Sequence, residues 1–116
     1  MAGSSWRVVG VGGQVPVAGR VPTLTFEDAK VSGSGGCNVF SGSYQYDPAS
    51  GQIRFGNIGM TARACAEPAA NDFETRFSDA LVRANGVSVD SQGRLTLSGP
   101  GGAILLEVDP QRAVEG

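Results

Sequence analysis

The sequence predicts an α+β fold: an antiparallel β-sheet that curls on itself, with one α-helix over about residues 71–85 packed on it. Three observations carry this. Several short segments alternate apolar and polar residues with a period of two, as half-buried strands do. A single segment, Asn71–Ala84, places apolar residues at helical spacing. Glycine supplies 18 of 116 residues, about double its usual share of roughly 7 %. It is scattered among the strand patterns without a repeat, as tight turns and bent strands require.

Trp6–Val11, WRVVGV, reads as the first strand. Gly12–Pro22 is rich in glycine, proline and valine and reads as a loop or irregular edge. In Thr23–Phe26, Leu24 and Phe26 alternate with Thr23 and Thr25, a short second strand, and Glu27–Asp28 is a solvated turn. The stretch Val31–Tyr46, VSGSGGCNVFSGSYQY, organises the rest. Gly33, Gly35 and Gly36 predict a bend just before Cys37. Beyond the bend Phe40, Gly42, Tyr44 and Tyr46 share one face, and Ser41, Ser43 and Gln45 share the other. The aromatic stripe reads as core in preference to a stacking platform for a base or sugar. A phosphate-cradling loop would need a helix with a suitable lysine after the glycines, and a strand follows instead.

Asp47–Gly51, DPASG, has proline early and glycine late, which predicts a hairpin of the type I turn plus bulge kind. It holds one carboxylate without the spacing of a calcium loop. Gln52–Phe55 returns with Ile53 and Phe55 on one face, and Asn57–Thr61 continues extended toward Cys65. The helix carries Phe73, Phe77, Ala80, Leu81 and Ala84 on one stripe. Asn71 is the expected N-cap, Glu74 the capping-box acid and Asn85–Gly86 the stop. Asp72–Arg76 and Asp79–Arg83 are i,i+4 pairs. The tail is a meander: Val87 with Val89, Leu95 with Leu97, a turn at Ser98–Gly102, and Ile104–Val108, with residues after Asp109 frayed.

Composition narrows function by exclusion. The length fits one domain spanning 1–116, its core about 6–108. A net charge of −2 supplies no field for nucleic acid. No stretch is long and apolar enough to span a membrane. The absence of histidine removes Ser–His and Cys–His nucleophile systems and leaves two cysteines short of a tetrahedral zinc site. No cofactor or metal is therefore expected. An enzyme would need a carboxylate pair, or a cysteine or the one lysine, Lys30, as nucleophile. MAGSSW has neither a charged n-region nor an apolar h-region, so no signal peptide is read here. A cytoplasmic domain and a mature domain with an added start both fit, the second being favoured.

The chain resembles the META domain family, which includes the heat-shock protein HslJ. The resemblance rests on Trp6 opening the domain, on TLTF followed by VSGSGGCNVFSGSY (Val31–Tyr44), on TARAC (Thr61–Cys65), and on FETRFSDAL (Phe73–Leu81) before LTL (Leu95–Leu97). It runs from about Trp6 to Val108. It implies an antiparallel sheet curled into an open, cracked barrel with one helix, and an extracytoplasmic location in the cell envelope, often as a lipoprotein. The export signal and lipobox cysteine usual in the family are missing from this sequence. The family has no established catalytic residues. Similarity of its fold to a lipid-binding pilotin makes an apolar pocket an expectation.

Two cysteines, no histidine and an exported-type family favour a Cys37–Cys65 disulfide; buried free thiols and a redox-active pair remain alternatives. The function expected is a non-enzymatic binding or stress-related module, a monomer, for a peptide, lipid or protein partner. Its binding patch is expected at Asn38, Thr61 and Arg63, with Arg63 open either to an anion or to a structural acid. The alternatives are a structural, stress-protective module without a dedicated ligand and a histidine-free hydrolase.

Overall fold

A computed structural model describes residues 2–63, 65–91, 93–100 and 104–110. The strands are β1 (Ser4–Val11), β2 (Thr23–Glu27), β3 (Lys30–Ser34), β4 (Val39–Asp47) and β5 (Gln52–Met60). Helix α1 (Pro68–Arg83) follows, then β6 (Gly86–Val89), β7 (Leu95–Ser98) and β8 (Ile104–Pro110). Every strand pairs antiparallel with its neighbour in sequence, and β1 also pairs with β8, so the sheet closes into a barrel. The expected crack survives as a narrow seam. β5 and β6 share the single register pair Gln52↔Gly86, and α1 is the connection between these two strands.

The alternation reads out as predicted along most strands. Leu24, Phe26, Phe40, Tyr44, Ile53, Phe55, Leu95 and Leu97 are buried. β6 departs from it: Val87 packs against the core and Val89 is exposed. β4 and β5 lose register between Ser41 and Ser43, where β5 bulges. Asn57 takes the left-handed conformation at the bulge, φ 54°, which asparagine tolerates better than most residues. Gly42 faces it. A side-chain carbon there would meet the Gly56 carbonyl oxygen at 2.9 Å and Ile58 Cα at 3.0 Å. The DPASG turn forms as expected. Asp47 accepts from the Ala49 N–H and the Ser50 hydroxyl, and Gly51 adopts φ 76°.

The helix stripe packs as predicted. Phe73, Phe77, Ala80 and Leu81 are buried, as is Ala84 just past the end. Phe77 meets Phe40 edge-on at 5.6 Å, and each such ring contributes about 1.5–3 kcal/mol by burial. The helix lies against β5, β1 and β8. The two i,i+4 ion pairs form on its exposed face, at 3.1 Å for Arg76–Asp72 and 2.9 Å for Arg83–Asp79.

Both helix ends differ from expectation. α1 begins at Pro68 with Glu67 as N-cap and no side-chain cap hydrogen bond. Proline suits the first turn, where its missing N–H has no intrahelical partner to lose. Asn71 and Glu74 are therefore released from capping and bond elsewhere. At the other end Ala84 is extended and leads directly into β6, so Gly86 is no left-handed cap. A side-chain carbon there would lie 2.8 Å from the Ser98 hydroxyl oxygen, which would have to turn away. β8 runs through Pro110, past the expected fraying point at Asp109. The expectation for the residues beyond Pro110, and for 101–102 of the last turn, lies outside the described residues.

Candidate functional site

The glycine bend, the TARAC segment and α1 converge on one buried carboxylate. Glu74 projects from the helix into the loop between β3 and β4 and is 6 % exposed. Its Oε2 accepts the backbone N–H of Asn38 at 2.7 Å and of Cys37 at 3.1 Å, and its Oε1 accepts Asn38 Nδ2 at 2.7 Å. The loop glycine makes room for this. A side-chain carbon on Gly35 would sit 2.7 Å from both Cγ and Oε2 of Glu74. The sequence motif thus needs glycine two residues before the cysteine because another residue's carboxylate occupies that space.

Asn38 is the second hub, 5 % exposed. Its Oδ1 accepts the Arg63 N–H at 2.6 Å and the Thr61 hydroxyl at 2.8 Å, and its Nδ2 also donates to the Arg63 carbonyl at 2.7 Å. With the bond to Glu74, both lone pairs and both protons of the amide are used. The Thr61 hydroxyl in turn accepts the Val39 N–H at 3.2 Å. The predicted residues Asn38, Thr61 and Arg63 are therefore brought together by hydrogen bonds from the buried Asn38 amide to the exposed Thr61 and Arg63. Asn38 and the Thr61 hydroxyl have little left for a ligand. What faces outward is the Arg63 side chain, for which no ion pair forms among the described residues, with the exposed Val39 nearby in sequence to Asn38.

Cys37 and Cys65 are disulfide-bonded, Cα–Cα 5.6 Å, 28 residues apart in sequence. On the chain-entropy model a loop of this size contributes about 3–4 kcal/mol. Hydrogen bonds hold both ends as well. Asn71 clasps the Cys65 backbone, accepting its N–H at 2.8 Å and donating to its carbonyl at 3.2 Å. The sulfurs and a Glu74 carboxylate oxygen all lie within 4.8 Å of one another. A disulfide is compatible with an extracytoplasmic location.

Two groups have displaced titrations. Burial first, then the charges of Asp28 and Glu27, push the Tyr44 phenol above its ordinary value; its hydroxyl donates to the Glu27 carbonyl at 2.8 Å. Arg94 is raised chiefly by its 2.7 Å hydrogen bond to Asp109.

Among the described residues the surface carries two concavities of note. One, about 1020 Å³, is an open, largely polar groove at the β5–β6 seam, bounded by the DPASG hairpin and the end of α1. The other is shallow, about 450 Å³, lined by Val39, Phe40, Ser41, Gly59, Met60 and Thr61. Neither is a deep apolar cavity with a mouth. Among the described residues no helix is long and apolar enough to cross a membrane. Sequence reasoning missed Glu74 as the centre of the site, having assigned it to local capping.

The META domain family model matches residues 1–111. No curated protein matches the sequence. Among solved structures, an NMR structure of a protein from Burkholderia xenovorans is similar at 26 % identity and TM-score 0.76, covering 97 % of this chain and 84 % of that one. A second NMR structure matches at 24 % identity and TM-score 0.70, over 91 % of this chain and 87 % of the other. A DUF4847 family protein from Bacteroides vulgatus shares the fold at 21 % identity and TM-score 0.58, over 79 % of this chain and 60 % of that chain.

Proposed function

Because the chain belongs to the META domain family, we propose that it is a non-enzymatic binding module of the cell envelope whose partner is a protein or peptide. The observation that carries this is the division of labour at the signature residues. Asn38, Glu74 and the disulfide fix the loop from within. Arg63 is held by its backbone alone and turns an exposed side chain to solvent. Two residues earlier in the chain, Thr61 borders the shallow concavity, which offers Val39 and Met60 as apolar contacts. A partner presenting a carboxylate next to an apolar residue fits that surface. The openness of both concavities favours such a partner over a lipid acyl chain, which needs an enclosed apolar pocket. A non-enzymatic reading is supported by the fate of the acids. Glu74 has its oxygens bound to N–H donors, and Asp47, the acid in the larger groove, is spent on its own turn.

The test is retention of a specific component from an envelope extract by immobilised protein, compared with Arg63→Ala. That substitution leaves the Arg63 backbone bonds to Asn38 in place, so folding is preserved. Wild type is expected to retain the component and Arg63→Ala to lose most of it. Equal retention by both, or none by either, overturns the reading in favour of a structural, stress-protective module.

A further inference from the structure

The geometry points to a redox-gated metal site: when the Cys37–Cys65 disulfide is reduced, its two thiolates and the Glu74 carboxylate bind one thiophilic divalent cation of the zinc class. Three donor groups from three segments, the glycine bend, the TARAC segment and α1, already lie within 4.8 Å of one another. Two sulfurs on one zinc stand about 3.7 Å apart, given a Zn–S bond of about 2.3 Å and tetrahedral angles. Small side-chain rotations reach that spacing, provided the backbones stay in place.

The backbones are held without the sulfur bond. The Cys37 N–H is bound to Glu74, and Asn38 ties its neighbourhood to the Arg63 main chain through both its amide oxygen and nitrogen. Asn71 grips the Cys65 N–H and carbonyl. The carboxylate is oriented in the manner of a supported metal ligand, by N–H donors from Cys37 and Asn38. A carboxylate has about four acceptor sites, and three are taken, so one remains for a cation. Both cysteines are half-buried, neither of them sealed in the core. Two cysteines without histidine leave zinc short of ligands, and the helix supplies the third in Glu74. The fourth position stays open to water, as in other three-ligand zinc sites.

A dithiol reductant attacks one sulfur, passes through a mixed disulfide and leaves as its own cyclic disulfide, handing two electrons and two protons to the pair. The cation then displaces the two thiol protons. Oxidation by a disulfide-forming reagent would expel the cation and restore the bond, so the cation and the disulfide exclude each other.

The experiment titrates cobalt(II), alone, into full-length protein that has been reduced with a phosphine and freed of reductant. Cobalt then gives way to zinc. Expected are thiolate-to-cobalt charge-transfer absorption at one metal per chain, release of two protons, and an unchanged far-UV circular dichroism spectrum. The oxidised protein should show none of this absorption. Cys37→Ser should abolish it, and Glu74→Gln should weaken binding by at least the about 10-fold that loss of even an outer-shell partner brings. X-ray absorption on the zinc-loaded wild type gives a readout independent of any variant's folding, and two sulfurs with oxygen donors are expected. No cobalt–thiolate absorption, whether the reduced chain is folded or not, overturns the proposal. So do binding only to an unfolded chain, a metal shared between two chains through four sulfurs, and a folded Glu74→Gln of unchanged affinity.

Discussion

Replacing Glu74 by glutamine keeps the shape of the buried hub and changes one oxygen into a donor. If the new carbonyl takes the place of Oε2, it still accepts the N–H groups of Cys37 and Asn38, now at 3.1 and 2.7 Å. The new NH₂ then faces Asn38 Nδ2, 2.7 Å away in the native protein, donor against donor. Turning the glutamine over puts its NH₂ against two backbone donors instead. Asn38 has no way to adapt, because flipping its amide would set Nδ2 against the Arg63 N–H and an oxygen against the Arg63 carbonyl. Each arrangement leaves at least one buried donor unsatisfied, at about 1–3 kcal/mol, and weakens the charge-assisted bonds that remain. The expected loss is about 2–4 kcal/mol. Urea unfolding of the oxidised protein, compared with Glu74→Gln at equal m-value, measures it. A loss below about 0.5 kcal/mol, the range of an ordinary surface substitution, would mean that Glu74 does not hold the loop through its charge.

Gly35→Ala should act on the same contact from the loop side. Its methyl carbon would lie 2.7 Å from Glu74 Cγ, and overpacking of this kind costs about 1–3 kcal/mol, read as a lower melting temperature; an unchanged one would count against the contact. Phe77→Ala removes a fully buried ring and should cost about 3–5 kcal/mol in the same urea assay, whereas a helix standing off the barrel would lose far less. Tyr44 should titrate above the ordinary tyrosine value of about 10, because burial and the nearby Asp28 and Glu27 disfavour its anion. The unfolded chain then loses that proton first, so the Tyr44 contribution is intact below about pH 10 and declines as pH rises through the folded value. Ultraviolet tyrosinate titration of wild type against Tyr44→Phe checks this, and a Tyr44 that ionises at or below the ordinary value would contradict it.

Local pattern in the sequence foretold local structure well. Period-two alternation located Phe40–Tyr46 and Ile53–Phe55, and the stripe from Phe73 to Ala84 located the helix face, because burial on one side imposes those spacings directly. Closure of the barrel was not legible in the same way. β1 meets β8 through pairs such as Val8↔Val108, and no periodicity within either strand announces its partner. Asn71 and Glu74 were misread for a related reason. Their residue types and spacing satisfy a capping box, but Pro68 starts the helix earlier and both side chains bond across the chain instead. Gly35 carried the one clue, a glycine at the bend whose space Glu74 fills, and a single sequence does not say which side chain fills it.

Amide hydrogen exchange at Asn38 tests the central claim, that a helix carboxylate locks the cysteine loop from inside. This N–H lies outside every strand, and its partner is Glu74 at 2.7 Å. The account predicts protection comparable to that of the flanking β4 amides, sharply reduced in Glu74→Gln. Exchange at the rate of an open loop in the wild-type protein would contradict it.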